Sequence, residues 1–272
     1  MTNYDECMMA ESKIDYGIKW LKDQGIDIEN LDLSLFPNRV IHYKLYDKSE
    51  YKPYLSDKLN AGEMLAKHNL SDIQIPIVSS GRRMLELSDL KNLEEDLYII
   101  KCNHASGWNI FFRPSMSDSE LKKIVDKINL YLILNFAYIS GYEWQYENIE
   151  RGWLIQKSLG EHLVDYQFFY EDEKCMAVDL QVKSDKNHVL HIFYGGPDGN
   201  SLDYFMGSMP LYKTLPKKFL EVVNRAKVYA DELAKNIKFA RIDFLCPNFD
   251  KIYFEEYTFS PYSGVLTFES YV

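Results

Sequence analysis

The chain has 272 residues, 46% of them hydrophobic, and a formal net charge of −10. That length and apolar content fit one large domain or two small lobes with a real core, and they exclude a disordered chain. The acidic balance argues against non-specific nucleic-acid binding, and no stretch reads as a secretory signal or a membrane span, so a cytoplasmic protein with no nucleic-acid partner and no membrane insertion is expected.

Taken in chain order, Ser12 to Asp23 has weak helical spacing, and Arg39 to Leu45 reads as a short strand after a turn at Pro37. Ser56-Asp57 resembles a helix start with Asp57 as cap, the helix running from Leu59 to Lys67 and ending near Asn69. Ile75 to Val78 is a short extended piece. Leu97 to Lys101 is a stronger strand, which enters a loop of small polar residues, Asn103-His104-Ala105-Ser106-Gly107, and Asn109 to Arg113 leaves that loop as a second strand. Neither a GxxxxGK[ST] nor a GxGxxG phosphate motif is present. Ser117 to Leu134 reads as a helix with Asp118 and Glu120 in its first turn. Leu154 to Leu159 is a strand. Asp165 to Tyr170 and Cys175 to Lys183 form a hairpin across Glu171 to Lys174. Asp185 to Asn200 reads as loop, broken by Gly195-Gly196-Pro197-Asp198-Gly199. Pro216 to Ile237 is the clearest helix, with Leu220, Val223, Lys227, Ala230, Leu233 and Ile237 at spacings of three and four. Cys7, Cys102, Cys175 and Cys246 are scattered with no CxxC pair, so reduced thiols are expected, not a zinc site or a disulfide framework.

The densest information lies near the end. Ala240 to Leu245 and Ile252 to Pro261 read as two strands joined by the polar turn Pro247-Asn248-Phe249-Asp250. Alternation places Arg241 and Asp243 on one face of the first strand, Glu256 and Thr258 on one face of the second, and Glu255 on the opposite face. A hairpin brings Asp243 beside Glu256. Two facing carboxylates repel unless a cation lies between them, and a hard divalent ion shared with phosphate oxygens suits that position.

The order of these parts resembles the ATP-grasp fold, and the terminal hairpin is similar to that of D-alanine–D-alanine ligases. More closely, Lys101-Cys102-Asn103-His104-Ala105-Ser106-Gly107, Glu143-Trp144-Gln145-Tyr146, Asp165-Tyr166-Gln167-Phe168-Phe169 and Tyr253-Phe254-Glu255-Glu256-Tyr257-Thr258 resemble the TupA-like ATP-grasp family. That family is associated with teichuronopeptide and capsular polysaccharide synthesis. The resemblance implies an α+β fold in which two α+β lobes hold ATP between two antiparallel sheets. It further implies a short N-terminal region over residues 1–54, one lobe over 55–156 and a second, carrying the metal hairpin, over 157–272.

The resemblance also implies roles. Lys58 and Lys101 match two phosphate-binding lysines; a solvated helix lysine is the alternative for Lys58. Ala105, Ser106 and Gly107 would cover the phosphates with backbone N–H groups and a hydroxyl, and His104 would donate to phosphate or to an oxyanion, unless it is structural. Gln156, Lys157 and Leu159 match the strand that reads adenine; Gln156 stands where family members commonly carry Glu. Glu161 and Asp165 are candidates for the ribose hydroxyls, or plain surface acids. Asp243, Glu256 and Thr258 are the expected magnesium ligands, Thr258 standing where many ATP-grasp proteins have Asn. Arg241 would steady a tetrahedral intermediate and an acyl phosphate, with a simple salt bridge to Asp243 as the alternative. Lys186, where an Arg is usual, would contact the γ-phosphate or the acyl phosphate. The aromatic run from Tyr142 to Tyr146 offers sugar-stacking faces or core packing.

The activity these roles imply is an ADP-forming carboxylate–amine ligase using ATP and Mg2+. Its partners would be a small-molecule or saccharide carboxylate acceptor and an amine donor, in surface polysaccharide biosynthesis. A sugar kinase on the same fold and a catalytically inactive carbohydrate-binding protein are the alternatives.

Overall fold

The computed structural model describes residues 12–160, 163–183, 189–195, 204–207 and 217–265. The longer helices are α1 (Lys13–Asp23), α2 (Phe36–Tyr46), α3 (Ala61–Lys67), α4 (Asp118–Ile133) and α5 (Lys217–Leu233). The strands are β1 (Ile77–Gly81), β2 (Tyr98–Cys102), β3 (Asn109–Phe112), β4 (Trp153–Lys157), β5 (Leu163–Glu171), β6 (Lys174–Lys183), β7 (Val189–Gly195), β8 (Tyr204–Gly207), β9 (Phe239–Pro247) and β10 (Tyr253–Thr258).

The chain divides into two compact units that interleave in sequence. The first comprises 1–31, 45–61 and 75–158; the second comprises 32–44, 62–74 and 159–272. Of the described residues before 55, 12–31 and 45–54 belong to the first unit and 32–44 to the second.

The first unit is built on a four-stranded antiparallel sheet in the order β1-β4-β2-β3. Its core sets Tyr98, Ile100 and Cys102 of β2 and Trp153 and Ile155 of β4 with the buried stripe Leu121, Ile124, Val125, Ile128 and Leu132 of α4. Those helix positions recur at three and four residues, which puts them on one face. Each large apolar side chain buried this way contributes about 1.5–3 kcal/mol. Helix α4 starts at Ser117 with a reciprocal cap: the Glu120 N–H donates to Ser117 Oγ at 3.3 Å, and the Ser117 N–H donates to Glu120 Oε2 at 3.0 Å.

The second unit is built on a six-stranded sheet in the order β10-β9-β5-β6-β7-β8, with every neighbouring pair antiparallel. Strand β9 is buried along almost its whole length, which explains its apolar run. Val40 of α2 packs with Phe169 and Phe239, and Tyr43 stacks on Phe239 at 5.2 Å. Arg39 clamps Glu171 through Nε at 2.7 Å and Nη2 at 2.9 Å. The Tyr257 hydroxyl on β10 donates to the Leu233 carbonyl of α5 at 2.8 Å.

Two expectations are corrected. The strand expected over Arg39 to Leu45 is helix α2. Pro37 sits in its first turn, where the missing N–H costs nothing, and Val40, Ile41, Lys44 and Leu45 are buried at helical spacing. The loop expected over Asp185 to Asn200 contains strand β7, which pairs with β6 from Val178↔Tyr194 to Lys183↔Val189. The glycine-rich breaker drew attention from the β-branched and aromatic run before it.

Candidate functional site

In the first unit the candidate residues gather where β2 ends. Lys101 is the last but one residue of β2, 7% exposed, and lies between Leu154 of β4 and Asn109 of β3 in register. The loop that follows turns at Gly107 in the left-handed region, φ 70°, and returns as β3. Ser106 and Gly107 are exposed, whereas Ala105 is buried. The Lys58 ammonium donates to the Ala105 carbonyl at 2.8 Å, so the lysine reaches this loop and is not a solvated helix residue. Asp57 caps the turn before α3 as expected, accepting from the Leu59 N–H at 2.9 Å.

His104 stands apart from the exposed part of the loop. It is 1% exposed, with Nδ1 3.2 Å from Asn103 Oδ1 and Nε2 3.3 Å from the Tyr131 carbonyl, and Trp108 packs edge-on against the ring. Burial holds its pKa down to about 4, so the ring is neutral and donates to one of those two acceptors. In this structure His104 anchors the loop from inside, and its expected role as a donor to a substrate oxygen has no geometric support.

Gln156 is buried, and its Nε2 donates to the Ile75 carbonyl at 3.4 Å. Lys157 points outward and pairs with Asp96 at 3.1 Å. Leu159 is the half-buried first residue of the second unit's long segment. Glu161 and Lys186 lie outside the described residues.

In the second unit the pairing register delivers the expected hairpin. Glu256 lies opposite Asp243, and Thr258 opposite Arg241. Arg241 and Asp243 form a buried pair, with Nε to Oδ1 at 2.8 Å and Nη2 to Oδ2 at 2.6 Å. Arg241 Nη2 also donates to Thr258 Oγ1 at 3.2 Å, and Thr258 Oγ1 lies 3.4 Å from Glu256 Oε1. Burial, and behind it Glu256 and Glu255, push the Asp243 carboxyl above the usual range against the pull of Arg241. Asp165 is also raised, by burial first and by Asp243 and Glu255 next. Among the described residues its Oδ1 is buried with no hydrogen-bond partner, while Oδ2 accepts from Gln167 Nε2 at 2.7 Å.

Glu255 departs from its expected place on the opposite face. The ladder steps from Phe254↔Phe244 to Glu256↔Asp243, so Glu255 is an extra residue in a bulge opposite Asp243. Its charge acts on both Asp243 and Asp165.

Several residues of this face went unnoticed in the sequence. Gln167 lies in register between Asp243 and Asp179 and accepts from Gln181 Nε2 at 3.1 Å. The Tyr262 hydroxyl donates to Asp179 Oδ2 at 3.0 Å, and the Arg241 guanidinium lies 5.7 Å from the Tyr262 ring centre. Tyr262 and Ser263 both adopt left-handed backbone, φ 53° and 55°, a conformation that costs energy in non-glycine residues. A signal existed: polar residues two apart recur as Asp165/Gln167, Asp179/Gln181, Arg241/Asp243 and Glu256/Thr258 in otherwise apolar strands.

Among the described residues, no group of three or more His, Cys, Asp or Glu side chains is disposed to hold a metal ion by itself. The hairpin instead fits the other magnesium mode, in which one or two carboxylates share the ion with substrate phosphates. The hard oxygens of Asp243 and Glu256 are the right donors for it.

With this geometry established, a family model described as "TupA-like ATPgrasp" matches residues 38–271. The chain belongs to the TupA-like ATP-grasp family. The α+β fold with two antiparallel sheets is the ATP-grasp fold. Solved structures similar to it include D-alanine–D-alanine ligase from Bacillus anthracis, at 15% identity and TM-score 0.42, covering 75% of this chain and 57% of the ligase. An L-amino acid ligase from Bacillus licheniformis matches at 12% identity and TM-score 0.44, with 81% and 48% covered. D-cycloserine synthetase DcsG matches at 13% identity and TM-score 0.44, with 94% and 76% covered. This chain spans little more than half the length of the Bacillus anthracis ligase. No curated protein matches the chain significantly. No helix among the described residues is long and apolar enough to cross a membrane.

Proposed function

We propose that this TupA-like ATP-grasp protein is an ADP-forming carboxylate–amine ligase that uses ATP. ATP phosphorylates a carboxylate, and an amine displaces phosphate from the acyl phosphate to form an amide. The observation that carries this reading is the register of the terminal hairpin, which sets Glu256 against Asp243 and Thr258 against Arg241. Such a face suits a magnesium ion shared with the phosphates of ATP, the ion offsetting the carboxylates beside Arg241.

In this reading Lys58 and Lys101 neutralise phosphate oxygens, and Ser106 and Gly107 add hydroxyl and backbone donors. Gln156, Lys157 and Leu159 receive the adenine, with Glu161 and Asp165 toward the ribose. Magnesium, held by Asp243 and Glu256 with Thr258 nearby, supplies charge neutralisation of the phosphates. Arg241 remains protonated, since burial pulls its pKa down but Asp243, Asp165 and Glu256 together raise it, and it stabilises charge as it develops on the acyl centre. Lys186 adds a second cation for the transferring phosphoryl group. The acceptor is a uronic-acid or peptide carboxylate, and the setting is surface polysaccharide biosynthesis in the cytoplasm.

The test is ADP release by purified protein across a panel of amino acids with uronic-acid acceptors. Amide product that requires both amine and acceptor supports ligation. Phosphorylated sugar formed without any amine would replace the ligase reading by a kinase.

A further inference from the structure

In the first unit, Asn103 makes a set of contacts that its place in a loop does not require. It is fully buried, and every polar atom of it is engaged. Nδ2 donates to Asp57 Oδ1 at 2.7 Å and to the Glu150 carbonyl at 2.9 Å. Oδ1 accepts from the Gly152 N–H at 2.7 Å and lies 3.2 Å from His104 Nδ1. Its backbone N–H donates to the Gly152 carbonyl at 3.0 Å, and its carbonyl accepts from the Lys58 N–H at 3.3 Å.

Only a primary amide serves this place. The carboxylate of Asp57 and the carbonyl of Glu150 need two donors on one atom, and the Gly152 N–H needs an acceptor on the other. An aspartate would set two carboxylates together, and an aliphatic residue would leave the buried Asp57 oxygen short of a partner. The surroundings are equally specific. A Cβ at Gly152 would come within 2.7 Å of the Gly81 carbonyl oxygen, so glycine is needed for this close approach. Arg82 reinforces the edge, donating through Nη2 to Asp57 Oδ2 at 2.9 Å and through Nη1 to the Glu150 carbonyl.

Three chain segments meet in this knot: the turn at Asp57-Lys58, the end of β2, and the approach to β4. The turn delivers the Lys58 ammonium to Ala105, two residues beyond Asn103. Lys101 precedes Asn103 by two residues. We propose that Asn103 is a positioning residue for polyphosphate binding, its side-chain amide fixing the Lys58 turn against the loop 103–107. The amide touches no substrate; it sets the spacing between two lysines and the exposed backbone of Ser106 and Gly107. This rests on the nucleotide reading above.

Calorimetric titration of wild type, Asn103→Ala and Arg82→Met with AMP and with magnesium-ATP tests it. AMP reports the base, ribose and first phosphate, whereas ATP adds the phosphates that Lys58 and the loop address. Asn103→Ala should weaken ATP about 30-fold and leave AMP within about twofold, collapsing the ratio of the two affinities. Arg82→Met should shift the same ratio in the same direction by about threefold. A merely structural role would lower melting temperature and change both ligands alike, so equal losses for ATP and AMP, or none in folded protein, overturn the proposal. If Asn103→Ala fails to fold by circular dichroism, Arg82→Met decides alone, since that side chain is about a third exposed. If wild type itself gains nothing from AMP to ATP, the nucleotide reading falls, a result distinct from a preserved gain that Asn103→Ala leaves untouched.

Discussion

The knot around Asn103 and the face around Asp243 solve opposite problems. In the first unit a neutral amide satisfies every neighbour, and each buried polar atom of it has a partner. In the second unit Asp165, Asp243, Glu255 and Glu256 act on one another around Arg241, and among the described residues Asp165 Oδ1 has no hydrogen-bond partner. The first region is complete without a ligand. In the second, burial and neighbouring carboxylates together raise the pKa of Asp165 and of Asp243. A satisfied amide and a cluster of carboxylates are thus assigned to different parts of the molecule.

The sharpest way to break this contrast is Arg241→Leu. It strands Asp243, which is 1% exposed, among like charges. Urea unfolding should show a loss of about 3–5 kcal/mol, and turnover should fall about 100- to 1000-fold. Unchanged stability would mean that the acids of this face are neutral in the resting protein.

A second effect belongs to the knot and depends on pH. His104 is held to about 4 when folded, below its ordinary value of 6.5. Between those values the unfolded chain binds the extra proton and the folded chain does not. Stability is therefore whole above pH 6.5 and falls as pH drops toward 4, by up to about 3 kcal/mol. His104→Gln should flatten that part of the pH–stability curve; an unaltered slope would assign it to other groups.

The smallest effect has the least intuitive sign. Asp165→Asn removes a carboxylate whose pKa is raised by burial and by its acidic neighbours. The ligand-free variant should be about 1 kcal/mol more stable, and magnesium should then stabilise it less than it does wild type. A destabilised variant would show that Asp165 is already protonated and bonded as a neutral acid.

How much of this was legible follows from the periods involved. The β9–β10 hairpin could be read because alternation and a Pro-Asn-Phe-Asp turn point the same way. Helix α5 could be read from its stripe. Helix α2 could not: Val40-Ile41 is β-branched, and the helical spacing shows only when the buried Lys44 is counted with the apolar residues. Of the site, Arg241, Asp243 and Glu256 came from one local pattern. Asn103 is not singled out from the rest of the loop 103–107 by the sequence, because its partners Asp57, Glu150 and Gly152 are far away along the chain. The second-unit ladder Gln167, Asp179 and Gln181 was visible as alternation but lies on strands whose pairing order no single strand reveals.

The bulge at Glu255 has one more consequence. Without that residue, Phe254 would still face Phe244 and the next position would still face Asp243, so no other pair in the hairpin would shift. The insertion therefore adds charge without altering the pairing around it. Shortening the ribbon by one residue would take the Glu255 side chain from beside Asp165 and Asp243 while the remaining pairs keep their partners, an electrostatic edit made by chain length alone.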